Sequence, residues 1–134
     1  MKIISIFPLL VAVAFGAPNT PVSNILLQNR IAAAPNTTTY AATTDIDMTK
    51  ALQTVTLTGN ITFTTSNKAA TTGIYVTVRV VGDGSNRTLA FPGTWVWVGS
   101  VPPTTLIANK VGLLQLICFG ATDADVVASW AASL

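Results

Sequence analysis

The 134-residue sequence contains no histidine and no glutamate, a single cysteine, and only 9% charged residues. Without histidine it lacks the commonest general base, the physiological pH switch and the commonest metal ligand. Cys118 stands alone in the apolar run Leu113 to Phe119. An intrachain disulfide and a cysteine-rich zinc site are therefore excluded, and with no histidine or adjacent cation to lower its pKa the thiol reads as a small buried hydrophobe. A basic nucleic-acid face is also missing. The seven cations (Lys2, Arg30, Lys50, Lys68, Arg79, Arg87, Lys110) are scattered singly, and the net charge is only +2.

Half of the residues are hydrophobic, against about 25% charged residues in an ordinary globular chain. With so few charges, the surface must be built from Thr, Ser, Asn and Gln or be covered by partners. Disorder is excluded by the same numbers, and the length fits one domain. Threonine alone supplies about one residue in six, which suits a pleated surface that is neither greasy nor charged.

The N-terminus, Met1-Lys2 followed by the apolar stretch Ile3 to Phe15, is too short to span a bilayer. Two readings fit it. One is a secretory signal cleaved after Gly16; the other, the expected one, is an apolar segment retained in an assembly, extended because Pro8 interrupts a helix or a central strand. Residues 17–44 are rich in Ala, Pro, Asn and Thr and read as a linker or extended arm, with Ile25-Leu26-Leu27 as an apolar docking patch. The expected organisation is an arm over 1–39 and a β-module over 40–134.

Within the module the period is two. Ile74, Val76, Val78 and Val80 share one face of a strand while Tyr75, Thr77 and Arg79 share the other, as a half-buried antiparallel strand requires. Gly82-Asp83-Gly84 ends that strand, Thr88 to Phe91 restarts one, and further strands are expected at Trp95 to Val98, Leu106 to Ala108 and Val111 to Phe119. Val55 to Phe63 reads either as a hairpin with the loop Thr58-Gly59-Asn60, which sets Leu57 opposite Ile61, or as one long strand bulged at Gly59. The C-terminus reads either as a helical turn capped by Thr122 or Asp123, or as a strand through Val126 to Trp130. The fold class is all-β: an antiparallel β-sandwich or jelly-roll-like module behind an extended N-terminal arm.

The chemistry-bearing groups are few. Asp45 with Asp47, and Asp123 with Asp125, are carboxylates two apart that could hold an ion or act as an acid and base, but neither pair has further oxygen ligands at loop spacing. Solvated turn or edge charges are the expected reading, with no catalytic, metal or cofactor residue assigned. Gly82-Asp83-Gly84-Ser85-Asn86-Arg87 begins like a phosphate-binding loop, but Arg87 stands where the third glycine belongs, so it reads as a turn. Asn36, Asn60 and Asn86 fit the glycosylation pattern, which a threonine-rich chain matches by chance. Trp95 and Trp97 present both rings on one face, for core or intersubunit packing or for stacking on a glycan. Trp95, Trp97, Asp83, Arg87 and Pro102 are the candidate receptor or interface contacts.

The ordered series Thr43-Thr44-Asp45-Ile46-Asp47, Gln53 to Phe63, Tyr75 to Val80 with Asp83-Gly84, Arg87 to Pro92, Trp97, Pro102-Pro103-Thr104 and Ala108 to Val111 resembles a β-module common in tailed-phage virion proteins, found at the ends of tail fibres and in other surface proteins. The resemblance covers roughly residues 40–134. It implies a virion structural protein without enzyme activity, commonly trimeric and built for adhesion or capsid decoration. With a short arm and no long shaft, the form implied is a capsid-decoration protein, head fibre or small spike on the virion surface. Its partners would be itself as a homotrimer and other capsid or tail proteins. The alternatives are a tail-fibre tip that binds a host cell-surface glycan through loops such as Gly82 to Arg87 and Gly99 to Pro103, and a secreted cell-surface or fibre-forming protein.

Overall fold

The alternating segments form strands in the computed structural model, which describes residues 35–68, 73, 75–99 and 101–134. These fall in one unit, Ala33–Leu134. The expectations for the signal-like segment, for its cleavage, for the docking patch Ile25-Leu26-Leu27 and for Ile74 lie outside the described residues. Among the described residues no helix is long and apolar enough to cross a membrane.

The protein is an all-β sandwich of two sheets. The wide sheet contains β1 (Asn36–Thr38), β3 (Leu52–Thr56), β5 (Tyr75–Val81), β9 (Val111–Cys118), β10 (Val126–Ala132) and β7 (Val96–Trp97), side by side in that order. The narrow sheet contains β2 (Thr43–Asp47), β4 (Ile61–Ser66), β6 (Arg87–Ala90) and β8 (Thr105–Leu106). From β1 to β6 the chain alternates between the sheets, so each pair of strands makes one coil and successive coils stack in parallel: β1 on β3 on β5, and β2 on β4 on β6. The second half closes the stack with reversed strands, β8 against β6, β9 against β5 and β10 against β9, while β7 runs parallel to β10.

The sheets are thus mixed where an antiparallel sandwich was expected. Alternation of period two reports that one face of a strand is buried but carries no direction. Parallel neighbours need a crossover connection, usually a helix; here a strand of the opposite sheet serves instead. The segment Val55 to Phe63 shows the consequence. It is neither a hairpin nor a bulged strand but the corner where the chain passes from β3 to β4, and Val55, Leu57, Ile61 and Phe63 are all buried because both sheets point them into one core. Gly59 is required at this corner: a Cβ there would lie 2.3 Å from the hydroxyl of Tyr40, which donates a 2.8 Å hydrogen bond to the Asn60 carbonyl and so ties the first coil to the second.

The coils are joined at the same end by asparagine side chains. Asn60 Oδ1 accepts from the Thr88 amide at 3.0 Å, and Asn86 Oδ1 accepts from the Ala108 amide at 2.9 Å. Two of the three tripeptides that fit the glycosylation pattern therefore place their asparagine in a structural hydrogen bond. The sheet also begins earlier than expected, since Asn36–Thr38 pair with Gln53–Val55 ahead of Tyr40. At the other end of the chain both readings hold in part: a short 3-10 turn at Asp123–Asp125 leads directly into β10.

Between the sheets lies a core of Ile46, Met48, Phe63, Val76, Val78, Val80, Leu114, Leu116 and Val126, with Cys118 buried among them as expected. Its one buried amide side chain, Gln53, donates from Nε2 to the carbonyls of Asp47 (2.9 Å) and Lys50 (3.1 Å), which holds the turn from β2 to β3. Aromatic rings fill the end near β7: Phe91 stacks on Phe63 with centroids 5.3 Å apart and meets Trp97 edge-on at 5.0 Å. Trp130 lies over Gly112, where a Cβ would come within 2.0 Å of the indole.

Candidate functional site

The carboxylates are engaged within the fold. Asp45 accepts hydrogen bonds from Thr64 and Ser66 on the neighbouring strand. Asp47 accepts from the Asn67 amide (2.9 Å) and from the backbone and hydroxyl of Thr49, and these bonds hold its carboxyl below the ordinary 3.8. Asp123 accepts from the Thr65 hydroxyl at 2.8 Å and pairs with Lys68 at 3.1 Å, which lowers its pKa against the opposing effect of burial. Because Thr65 lies in the last two residues of β4 and Asp123 lies between β9 and β10, this contact clasps the two sheets together. Asp125 is likewise lowered by the hydroxyl and amide of Thr122. Among the described residues no three potential ligands cluster to hold a metal.

The sequence-predicted contacts separate into three places. Asp83 and Arg87 pair with each other through Nε (2.9 Å) and Nη2 (2.5 Å), and Asp83 also accepts from the Ser85 amide, so both are spent on the turn that the sequence suggested. Trp95 is 4% exposed and belongs to the core. Its indole N–H completes no hydrogen bond of normal geometry, although it lies close enough to Asp123 to help hold that carboxyl low. Trp97 and Pro102 do come together, in a cleft of about 260 Å³ that also includes Leu89, Phe91, Pro103 and Thr104. Thr104 supplies the one polar side chain of its lining, and no charged or amide side chain is there to fix a sugar.

The larger feature is one that the predicted contacts miss, the outer face of the wide sheet. Register aligns its outward side chains in rows. Tyr75, Ile117, Val127 and Val96 form the first; Leu52, Thr77, Gln115 and Ser129 the second; Thr54, Arg79, Leu113 and Ala131 the third. Tyr75 is 71% exposed, Phe119 61% and Leu113 42%, and Arg79 is the one charge in these rows. A shallow groove of about 260 Å³ runs between Tyr75, Val98, Gln115 and Phe119. The outer face of the narrow sheet is its opposite: Thr43, Asp45, Thr62, Thr64 and Thr88, a surface of hydroxyls and carboxylates.

A sequence signal for the apolar face exists. In Val111-Gly112-Leu113-Leu114-Gln115-Leu116-Ile117-Cys118 both parities are apolar except for Gln115, the pattern of a strand covered on both sides. Comparison with protein-family models, with curated proteins and with solved structures finds no match to this chain.

Proposed function

We propose that this chain is a structural protein of a phage virion surface: a β-module that assembles as a homotrimer, is anchored to capsid or tail proteins by its N-terminal arm, and decorates the particle without catalysing a reaction. The observation that carries this reading is the commitment of its polar chemistry. All five aspartates accept hydrogen bonds from the chain itself, while Leu52, Tyr75 and Leu113 stand exposed on the outer face of the wide sheet beside Arg79 and Gln115. What such a molecule offers to its surroundings is contact area. Exposed apolar faces of this kind mark association surfaces, and a chain with so little charge suits an obligate oligomer.

The resemblance to tailed-phage modules supplies the virion context, and the Thr-rich outer face of the narrow sheet suits the side that meets solvent. Receptor binding at the Trp97–Pro102 cleft is less favoured because Thr104 is the one polar side chain in its lining. Two measurements test the proposal. Intact-mass analysis of purified particles should find the chain among the virion proteins, and light scattering of the full chain should give a trimer. Absence from particles together with a stable monomer at micromolar concentration would overturn it.

A further inference from the structure

The cleft between Trp97 and Pro102 is unsuited to a glycan, yet it is a formed concavity with aromatic walls. We propose that it docks a proline-rich segment of another protein, held in the polyproline II conformation. Such docking needs no virion context, and it uses a part of the surface that the proposed function leaves idle.

The cleft is built before any partner arrives. Its walls include two segments, Leu89 to Gly93 and Pro102 to Thr104, joined by the 3.0 Å bond from the Leu89 amide to the Thr104 carbonyl. Phe91 and Trp97 line it and meet edge-on, with centroids 5.0 Å apart. Each is backed by a core ring: Phe63 stacks on Phe91, and the buried Trp95 lies 6.3 Å from Trp97. Pro92, Pro102 and Pro103 stiffen the backbone around them. A preformed site of this kind spends little ordering entropy when a partner enters.

The polar groups of the lining select the occupant. Beside the Thr104 hydroxyl there is the indole N–H of Trp97, and neither meets an acceptor among the described residues. The cleft therefore offers two donors and, apart from the Thr104 oxygen, no side-chain acceptor. A sugar brings hydroxyl donors that would go unpaired there. A run of prolines brings carbonyl acceptors and no N–H at all, and in polyproline II those carbonyls make no internal hydrogen bonds. Its rings supply apolar surface to Phe91 and Trp97. Aromatic-lined grooves take proline-rich segments on this basis, helped by the low entropy of the preformed helix.

Charge and size agree. No charged side chain lines the cleft, so a neutral segment leaves no ion unpaired. The volume is about 260 Å³, and Gly93, Pro102 and Thr104 in the lining are exposed. A free drug-sized ligand usually needs about 300–1,000 Å³ and near-complete enclosure. One turn of polyproline II, three residues rising about 9 Å, can seat its rings here while the rest of the segment runs over the surface.

The test titrates the full chain with decaproline and follows backbone amide shifts by NMR together with tryptophan fluorescence. Shifts are expected to centre on Phe91, Trp97 and Thr104. Trp97→Phe, which keeps a ring but removes the N–H, is expected to weaken binding about tenfold. Thr104→Val, which keeps the side-chain shape and loses the hydroxyl, should weaken it less; this variant covers the case that Trp97→Phe loosens the aromatic core. Tyr75→Ser, on the outer face of the wide sheet, should bind as the wild type does. Triacetylchitotriose and a glycine–serine decapeptide should cause no shift at the cleft. Absence of shifts with decaproline at millimolar concentration, undiminished binding by either cleft variant, or binding of the trisaccharide at the same residues would overturn the proposal and leave the virion reading untouched.

Discussion

The two outer faces of the sandwich are built by the same rule and end in opposite surfaces. In each sheet alternate residues point into the shared core, and the core side is mostly apolar, with Thr44, Gln53 and Thr65 as its buried polar residues: Val76, Val78 and Val80 on β5 correspond to Ile61 and Phe63 on β4. Outward, β4 and its neighbours carry Thr, Ser and Asp, whose side chains bond to each other across strands, as Thr64 and Ser66 do to Asp45. Outward on β5 and β9 stand Tyr75, Ile117 and Leu113. Folding requires only the inner pattern. The outer pattern is free to differ, hydroxyl-rich on one side and largely apolar on the other.

The sharpest way to break this comparison is to invert one strand. Val78→Asp, at 2% exposure in the middle of β5, places an unpaired carboxylate in the core and is expected to cost about 3–5 kcal/mol, enough to unfold a marginally stable domain. Thr77→Asp, its outward neighbour, should leave the fold intact. Thermal melts of the two variants check the face assignment, and equal losses in melting temperature would sink it.

The clasp between the sheets is the next largest effect. Asp123→Ala removes the acceptor of the buried Thr65 hydroxyl and the ion-pair partner of Lys68, which keeps its bond to the Thr65 carbonyl. A loss of about 1–2 kcal/mol in denaturant unfolding is expected, at the lower end because Asp123 is itself 42% exposed. An unchanged midpoint would show that the sheets are held by apolar packing alone.

Acid should act on the same contacts. Asp47, Asp83, Asp123 and Asp125 are all lowered in the folded protein. Their stabilisation is present above the unfolded carboxylate value of 3.8 and is lost as pH falls through the lower folded values. With no histidine in the chain, the melting temperature is expected to stay level between about pH 5 and 7 and to decline below about pH 4. A decline between pH 5 and 7 would contradict the account. The smallest effect is expected on the solvated face: Asp45→Asn should shift the melting temperature by no more than about one or two degrees.

Much of the strand pattern is legible in the residues. The alternation around Val78 gives the burial of β5 correctly, Gly82 to Gly84 marks its end, and the uncommitted cysteine is buried as its neighbours imply. The candidate contacts are legible only in part. Trp97 and Pro102 share a cleft, but Trp95 lies in the core, and Asp83 and Arg87 answer each other. Sequence adjacency in Trp95-Val96-Trp97 gives a common side of the strand, while the depth of each ring depends on Phe91, which the turn at Pro92-Gly93 folds back onto them, and on Phe63, which arrives from a distant position and stacks on Phe91.

By itself, the sequence determined that the protein is all-β, which side chains of β5 turn inward, and that its chemistry is not that of histidine, glutamate or paired cysteines. Those properties follow from period-two spacing and composition, which act locally along the chain. Only the tertiary structure decided that Val55 to Phe63 is a corner between sheets, that the first six strands wind in parallel coils, and that Tyr75, Leu113 and Ile117 lie together on one face whose rows hold a single charge, Arg79. Strand direction and partner choice are set by contacts between residues far apart in sequence, such as Tyr40 over Gly59 and Asn60 beside Thr88, and alternation along a single strand holds no information about them.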